Sequence, residues 1–204
     1  HNPAGEQGDF GIKYNVNNGG PAPEKDTLAF FERSKALDHY KLADLPDINL
    51  DVTGTQTIEG VTIEIIDSVA DYAELMQSIF DFDLLKQSIQ SGYMTLAFDA
   101  MSAITGPYAK HILVDMLGAS MDSLRNAEPL EDFGGHHPDP NLIYAHELAD
   151  FMFSDKAPTF GAASDGDGDR NMIMGKGIFV TPSDSLAILA ANAPLIPGYA
   201  KGLK

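Results

Sequence analysis

Between Val61 and about residue 192 the hydrophobic residues switch repeatedly between a period of two and a helical period, and this alternation narrows the possible folds more than any other feature of the chain. Val61, Ile63 and Ile65 are separated by Thr62 and Glu64, which suits a strand. Residues 68–90 then carry helical spacing through Tyr72, Leu75, Ile79 and Leu84. A short apolar strand is predicted over 94–98, Gly106-Pro107 punctuates, and 108–117 reads as a helix stopped by Gly118. The cycle repeats with a Gly-, His- and Pro-rich loop over 133–141, a helix over 142–153 and a strand reaching Ala163. Residues 172–174 and 178–180 form a predicted hairpin around 175–177, and Pro182-Ser183-Asp184 opens a last helix. Strands alternating with helices define an α/β domain.

The sequence ahead of this domain differs in character. Its first twenty-three residues are rich in Gly, Asn and Pro and predict a loop with one strand over 10–16. Leu28, Phe31 and Leu37, with Phe30 beside them, predict an amphipathic helix over 24–39 behind Pro23, and polar, proline-broken sequence follows to about Gly60. The chain therefore divides into 1–60, an α/β domain over 61–192, and a short tail over 193–204.

An apolar fraction of 44% across 204 residues suffices for packed cores. Thirteen basic against thirty acidic side chains give a formal charge of −17, a field that repels nucleic acid and anionic lipid, so neither is expected as a partner. No apolar run approaches the roughly 20 residues of a membrane span. There is no cysteine, which rules out disulfides and is compatible with a cytoplasmic location. The chain opens on His1 rather than methionine, with no basic-then-apolar leader pattern.

One loop carries dense chemistry. Asp165-Gly166-Asp167-Gly168-Asp169-Arg170 places three carboxylates at alternate positions, and the glycines between them relax the backbone so that the side chains can converge. At about 5 Å and an effective dielectric of about 20, each pair would repel by about 3 kcal/mol, so convergence calls for a cation. All-oxygen ligands select Mg²⁺ or Ca²⁺ over zinc or copper. Asp165, Asp167 and Asp169 match the first alternate positions of an EF-hand, but Arg170 stands where that loop needs Gly, and Lys176 where it needs a bidentate Glu. The competing reading is a solvated acidic turn. Arg170 next to a metal would make a phosphate contact. Far upstream, His1 offers a group that moves protons near neutral pH, and Lys13 a second.

HNPAGEQGDFGIKYN followed by NNGGPAPE, then PLEDFGGHHPDPNLIYA, then GAASDGDGDRNMI, in this order, closely resembles the phosphoglucomutase branch of the α-D-phosphohexomutase family. The similarity spans essentially the whole chain. It implies mixed-sheet α/β domains of the phosphohexomutase type, with 1–60 the end of the first domain, 61–192 the second, and 193–204 leading to a third. It also implies an isomerase acting on a hexose phosphate, interconverting glucose 1-phosphate and glucose 6-phosphate through a phosphoserine and a glucose 1,6-bisphosphate intermediate. The family's Ser-His-Asn-Pro motif puts that serine immediately before His1.

By the same resemblance, His1 and Lys13 transfer protons at the reacting hydroxyl. Asp165, Asp167 and Asp169 hold Mg²⁺, while Arg170, with Asp169 and Lys13, meets the phosphoserine or the sugar phosphate. The loop from Gly134 to Asn141 is a family signature read here as structural, and His39, His111 and His146 read as surface or packing residues. Three departures point to a divergent lineage or a paralogue. Ala4 stands for a second glycine, Met101-Ser102-Ala103 for Met-His-Gly, and Ser164 for an apolar residue. The alternatives implied are a low-activity paralogue acting as a phosphoprotein in secretion and a phosphomannomutase-type relative.

Overall fold

The structure, a computed structural model, describes Gly8 and residues 12–203. The chain divides into two compact units, a smaller one ending at Asp67 and a larger one that includes Gly8 and residues 68–203. In the smaller unit, the described part of the predicted 10–16 strand makes only one bridge, Asn15 with Pro21. A tight turn closes it through Val16 N–H to Gly20 O at 2.9 Å and Gly19 N–H to Val16 O at 2.8 Å. Pro21 and Pro23 have no N–H to donate, so no ladder grows there. Helix α1 runs Glu24–Lys35, shorter than predicted, and ends in basic residues that suit a helix C-terminus.

Strand β2 (Val61–Ile65) forms where the alternation predicts it. Its partner is β1 (Gly54–Ile58), a stretch read from sequence as irregular, paired antiparallel across a turn of Glu59 and Gly60 at φ 50° and 78°. Two consecutive left-handed residues match the right-handed twist of a hairpin. This hairpin is a two-stranded sheet of its own.

In the larger unit the apolar pattern over 68–90 is split into α2 (Ser68–Ile79) and α3 (Phe82–Gln90), because the Asp81 carboxylate accepts the Leu84 N–H at 2.9 Å and caps a new helix. Strand β3 (Leu96–Asp99) leads to α4 (Thr105–Ala109), which continues as a wider π-helical turn over Lys110–Met116. Pro107 therefore lies inside the helix rather than before it, in the first turn, where a missing N–H costs nothing. Strand β4 (Leu124–Arg125) is too short to leave a period in the sequence. Helix α5 (His146–Met152) starts later than predicted because the Asn141 side chain accepts the N–H groups of Ile143 and Tyr144, which holds the preceding residues in a turn. Strands β5 (Phe160–Ser164), β6 (Asn171–Gly175) and β7 (Ile178–Val180) follow, then α6 (Pro182–Asn192), with Thr181 as its cap and proline in its first turn.

The sheet has the order β4-β3-β5-β6-β7. Strand β3 pairs parallel with β4 and β5, whereas β5-β6 and β6-β7 are antiparallel, so the sheet is mixed within an α/β unit. Its core is made of alanine and methionine more than of large branched residues: Ala97, Ala163, Met172 and Met174 from the strands meet Leu148, Ala149 and Met152 of α5. Small residues on the strands leave room for the helix, and methionine fills the irregular gaps. Leu148 is fully buried in this layer. Leu148→Ala is expected to lower stability by about 3 kcal/mol, measured as the shift in urea-induced unfolding; a loss below about 1 kcal/mol would mean that the contact between α5 and the sheet is not the main core.

Candidate metal and phosphate site

Parallel sheets offer ligands the crevice beyond the carboxyl ends of their strands, where neighbouring connections leave in opposite directions. Here β3 leads away toward β4 on one side, and β5 turns back into β6 on the other. Asp99 is in register with Ala163, so the turn after β3 and the loop after β5 lie side by side. That second loop is 165–170, the acidic segment, closed where Ser164 pairs with Asn171.

Local chemistry holds the loop in shape. Asp165 N–H donates to Arg170 O at 3.1 Å, and Gly168 N–H to Asp165 O at 3.2 Å. Gly168 has φ +79°, which strains any other residue, and a Cβ there would come within 2.9 Å of Thr105 Cγ2 at the start of α4 and push that methyl aside. The Thr105 and Ser164 hydroxyls are 2.6 Å apart and tie α4 to the end of β5. Ser164, a departure from the family pattern, is thus buried with a hydrogen-bond partner.

Asp165 is completely buried, while Asp167 and Asp169 are exposed, and one ligand atom from each lies within 4.8 Å of the others. Arg170 offsets part of this negative charge. Its backbone N–H and its Nε donate to the two oxygens of Asp165 at 2.9 and 3.0 Å, its Nη1 donates to Asp139 Oδ1 at 2.7 Å, and Asp169 Oδ1 lies 3.7 Å from Nε. Burial pushes the Asp165 carboxyl above the ordinary carboxylate range, and the neighbouring Asp167 adds to that, against the opposing effect of the Arg170 N–H and charge. The donor set fits a hard divalent ion.

The structure brings Asp165, Asp167, Asp169 and Arg170 together. Lys13 lies in the smaller unit and is exposed, and His1 is outside the described residues. Two features left no mark that sequence reading used. One is Asp139, from the Gly134–Asn141 segment, which grips Arg170. The other is a cavity of about 90 Å³ at the end of β3, lined by Asp99, Ser102, Asn126, His136, Tyr144 and Glu147 among others. Asp99 is buried there and accepts from Met101 N–H at 2.8 Å and Asn126 Nδ2 at 3.0 Å. The signal for this cavity is conformational: Met101, Ser102, Asn126 and Phe133, all lining it, have positive φ, which composition does not reveal.

The fold and the site together are a mixed α/β unit with an acidic, oxygen-rich loop at the carboxyl end of a central strand. The family model described as "Phosphoglucomutase/phosphomannomutase, alpha/beta/alpha domain II" matches residues 70–177, and the chain belongs to that family. The phosphoglucomutase of Rhizobium radiobacter is 60% identical over 203 residues, covering 100% of this chain and 37% of the relative. Phosphoglucomutase 1, chloroplastic, of Marchantia polymorpha is 53% identical over 204 residues, again the whole chain but 31% of the relative. Among solved structures, the open form of the exocytosis-sensitive phosphoprotein pp63/parafusin, a phosphoglucomutase from Paramecium, superposes with a TM-score of 0.89 at 47% identity, over all of this chain and 38% of that one. The chain spans about a third of the length of the curated relatives it matches.

Asp167→Asn removes one of the three converging carboxylates and is expected to weaken divalent-cation binding about tenfold or more, read by calorimetric titration of Mg²⁺ into the full-length protein. Equal affinity in the variant would place the ion elsewhere. Gly168→Ala should weaken binding as well and lower stability by about 1–3 kcal/mol.

Proposed function

We propose that the full-length protein carrying this chain is a Mg²⁺-dependent phosphoglucomutase, an isomerase that interconverts glucose 1-phosphate and glucose 6-phosphate through a phosphorylated serine and glucose 1,6-bisphosphate. The observation that carries this reading is the convergence of Asp165, Asp167 and Asp169 on one point at the carboxyl end of β5, inside a family domain. Residues 1–60 would close the first domain, 61–192 form the second, and 193–204 lead on.

Phosphoryl transfer asks a protein mainly for positioning and charge neutralisation. Asp165, Asp167 and Asp169 would hold Mg²⁺, which when bound supplies positive charge against the phosphoryl oxygens. Arg170 presents a planar cationic head that pairs with phosphate oxygens two at a time. His1 and Lys13 are assigned the proton of the reacting sugar hydroxyl, the imidazole being able to accept it near neutral pH and the ammonium to hold negative charge nearby. The acidic surface, with a formal charge of −17, makes such local cations essential for an anionic substrate and weighs against nucleic acid or anionic membrane partners. Among the described residues no helix is long and apolar enough to cross a membrane. A cytoplasmic location is the simplest reading, although a chloroplastic relative shows that the family is not confined to it.

A second reading is favoured by one finding: the Paramecium neighbour is named as an exocytosis-sensitive phosphoprotein. In that reading the full-length protein is a low-activity paralogue that carries phosphate but turns over little substrate. The family description also covers phosphomannomutases. A coupled assay of the full-length protein separates these. Glucose 6-phosphate should form from glucose 1-phosphate only with Mg²⁺, faster than the corresponding mannose conversion, and Asp169→Asn should slow it about a hundredfold. Phosphate incorporation without any Mg²⁺-dependent product would support the phosphoprotein and defeat the mutase.

A further inference from the structure

The Gly134–Asn141 segment is read from its sequence as a structural loop, yet one of its side chains reaches the cation site. Asp139, 31 positions from Arg170 in sequence, accepts from Nη1 at 2.7 Å while Asp165 accepts from Nε at 3.0 Å. The guanidinium is thus held at two atoms by carboxylates from two different loops. The Asp139 carboxylate grips a second atom of the head, which restricts rotation about the Nε contact and helps to set the plane of the fork. Stability is not the main product of this pair, since the Arg170 side chain is 52% exposed and that of Asp139 28%, and solvated ion pairs contribute little.

Asp139 is itself held without help from Arg170. Pro138 and Pro140 flank it, its N–H donates to His137 O at 2.9 Å, and Asn141 Nδ2 donates to its second oxygen at 3.0 Å. Asn141 is anchored in turn, its side-chain oxygen accepting from Ile143 and Tyr144 N–H, and the Tyr144 ring meets His137 edge-on at 4.5 Å. An exposed arginine that is free to move must be ordered each time a phosphate binds; one clamped by a preset carboxylate has lost that freedom beforehand.

We infer that Asp139 is a positioning residue that fixes the direction of the Arg170 guanidinium, so that the histidine- and proline-rich loop serves the phosphate end of the site. This rests on the phosphate role proposed above for Arg170. The test uses the full-length protein labelled with ¹⁵Nε-arginine, the Arg170 signal being assigned with Arg170→Lys, together with steady-state kinetics. In Asp139→Ala the Arg170 Nε–H should exchange with solvent about tenfold faster, and kcat/KM for glucose 1-phosphate should fall about tenfold, with Asp139→Glu restoring much of both. In an Arg170→Ala background, Asp139→Ala should have no further effect on kcat/KM, whereas a merely structural loop residue would add its own loss. Unchanged Nε–H exchange in Asp139→Ala, or losses that multiply in the double variant, would overturn the inference. Faster exchange combined with wild-type turnover in Arg170→Ala would support the clamp and refute the phosphate role of Arg170 instead.

Discussion

Three carboxylates held within 4.8 Å of one another repel, and the local structure around the loop after β5 is arranged around that repulsion. The repulsion is strongest for the pairs that include the buried Asp165 and is screened by water between the exposed Asp167 and Asp169. Arg170 lies within 4 Å of Asp139, Asp165 and Asp169, and its own backbone N–H binds the buried Asp165. That carboxylate is the costly one, since it has lost its water entirely. Both of its oxygens meet donors from Arg170, which is the condition under which a buried charge is tolerated. A bound divalent ion would complete the same balance.

The sheet supplies the rigidity such a cluster needs. Because Asp99 and Ala163 are in register on adjacent parallel strands, the two loops that follow emerge together. The 2.6 Å hydroxyl contact between Thr105 and Ser164 and the close approach of Gly168 to Thr105 lock the acidic loop to the start of α4. Behind them lies the alanine–methionine core, dense because small strand residues let α5 come near. A site mounted on strand ends backed by a packed core holds its side chains more narrowly than one carried by a free loop.

Most of the elements are legible in the sequence because their hydrophobic periods are regular: β2, β3, β5, the β6–β7 hairpin and α6 all fall where alternation and helical spacing put them. Failures have local chemical causes. Asp81 splits one long apolar pattern by capping a second helix, and Asn141 delays α5 by capturing two backbone N–H groups. Pro107 was read as a break, but it sits where a helix tolerates proline. Strand β4 is too short to show a period, and β1 carries polar residues on a largely exposed hairpin, so neither has a pattern to detect.

The acidic alternation at Asp165, Asp167 and Asp169, with glycines between, was decided by sequence alone, since the side chains available and the freedom of the backbone are properties of those six residues. So was the formal charge of −17, which sets a field unfavourable to polyanions. What meets Arg170 was a tertiary matter. Asp139 lies 31 positions away, and no period or motif ties it to the acidic loop; only the return of the chain from β4 through α5 to β5 brings the two loops together. The cavity beside Asp99 is of the same kind, built by backbone torsions at four separate positions that compact packing imposes and residue identity does not announce.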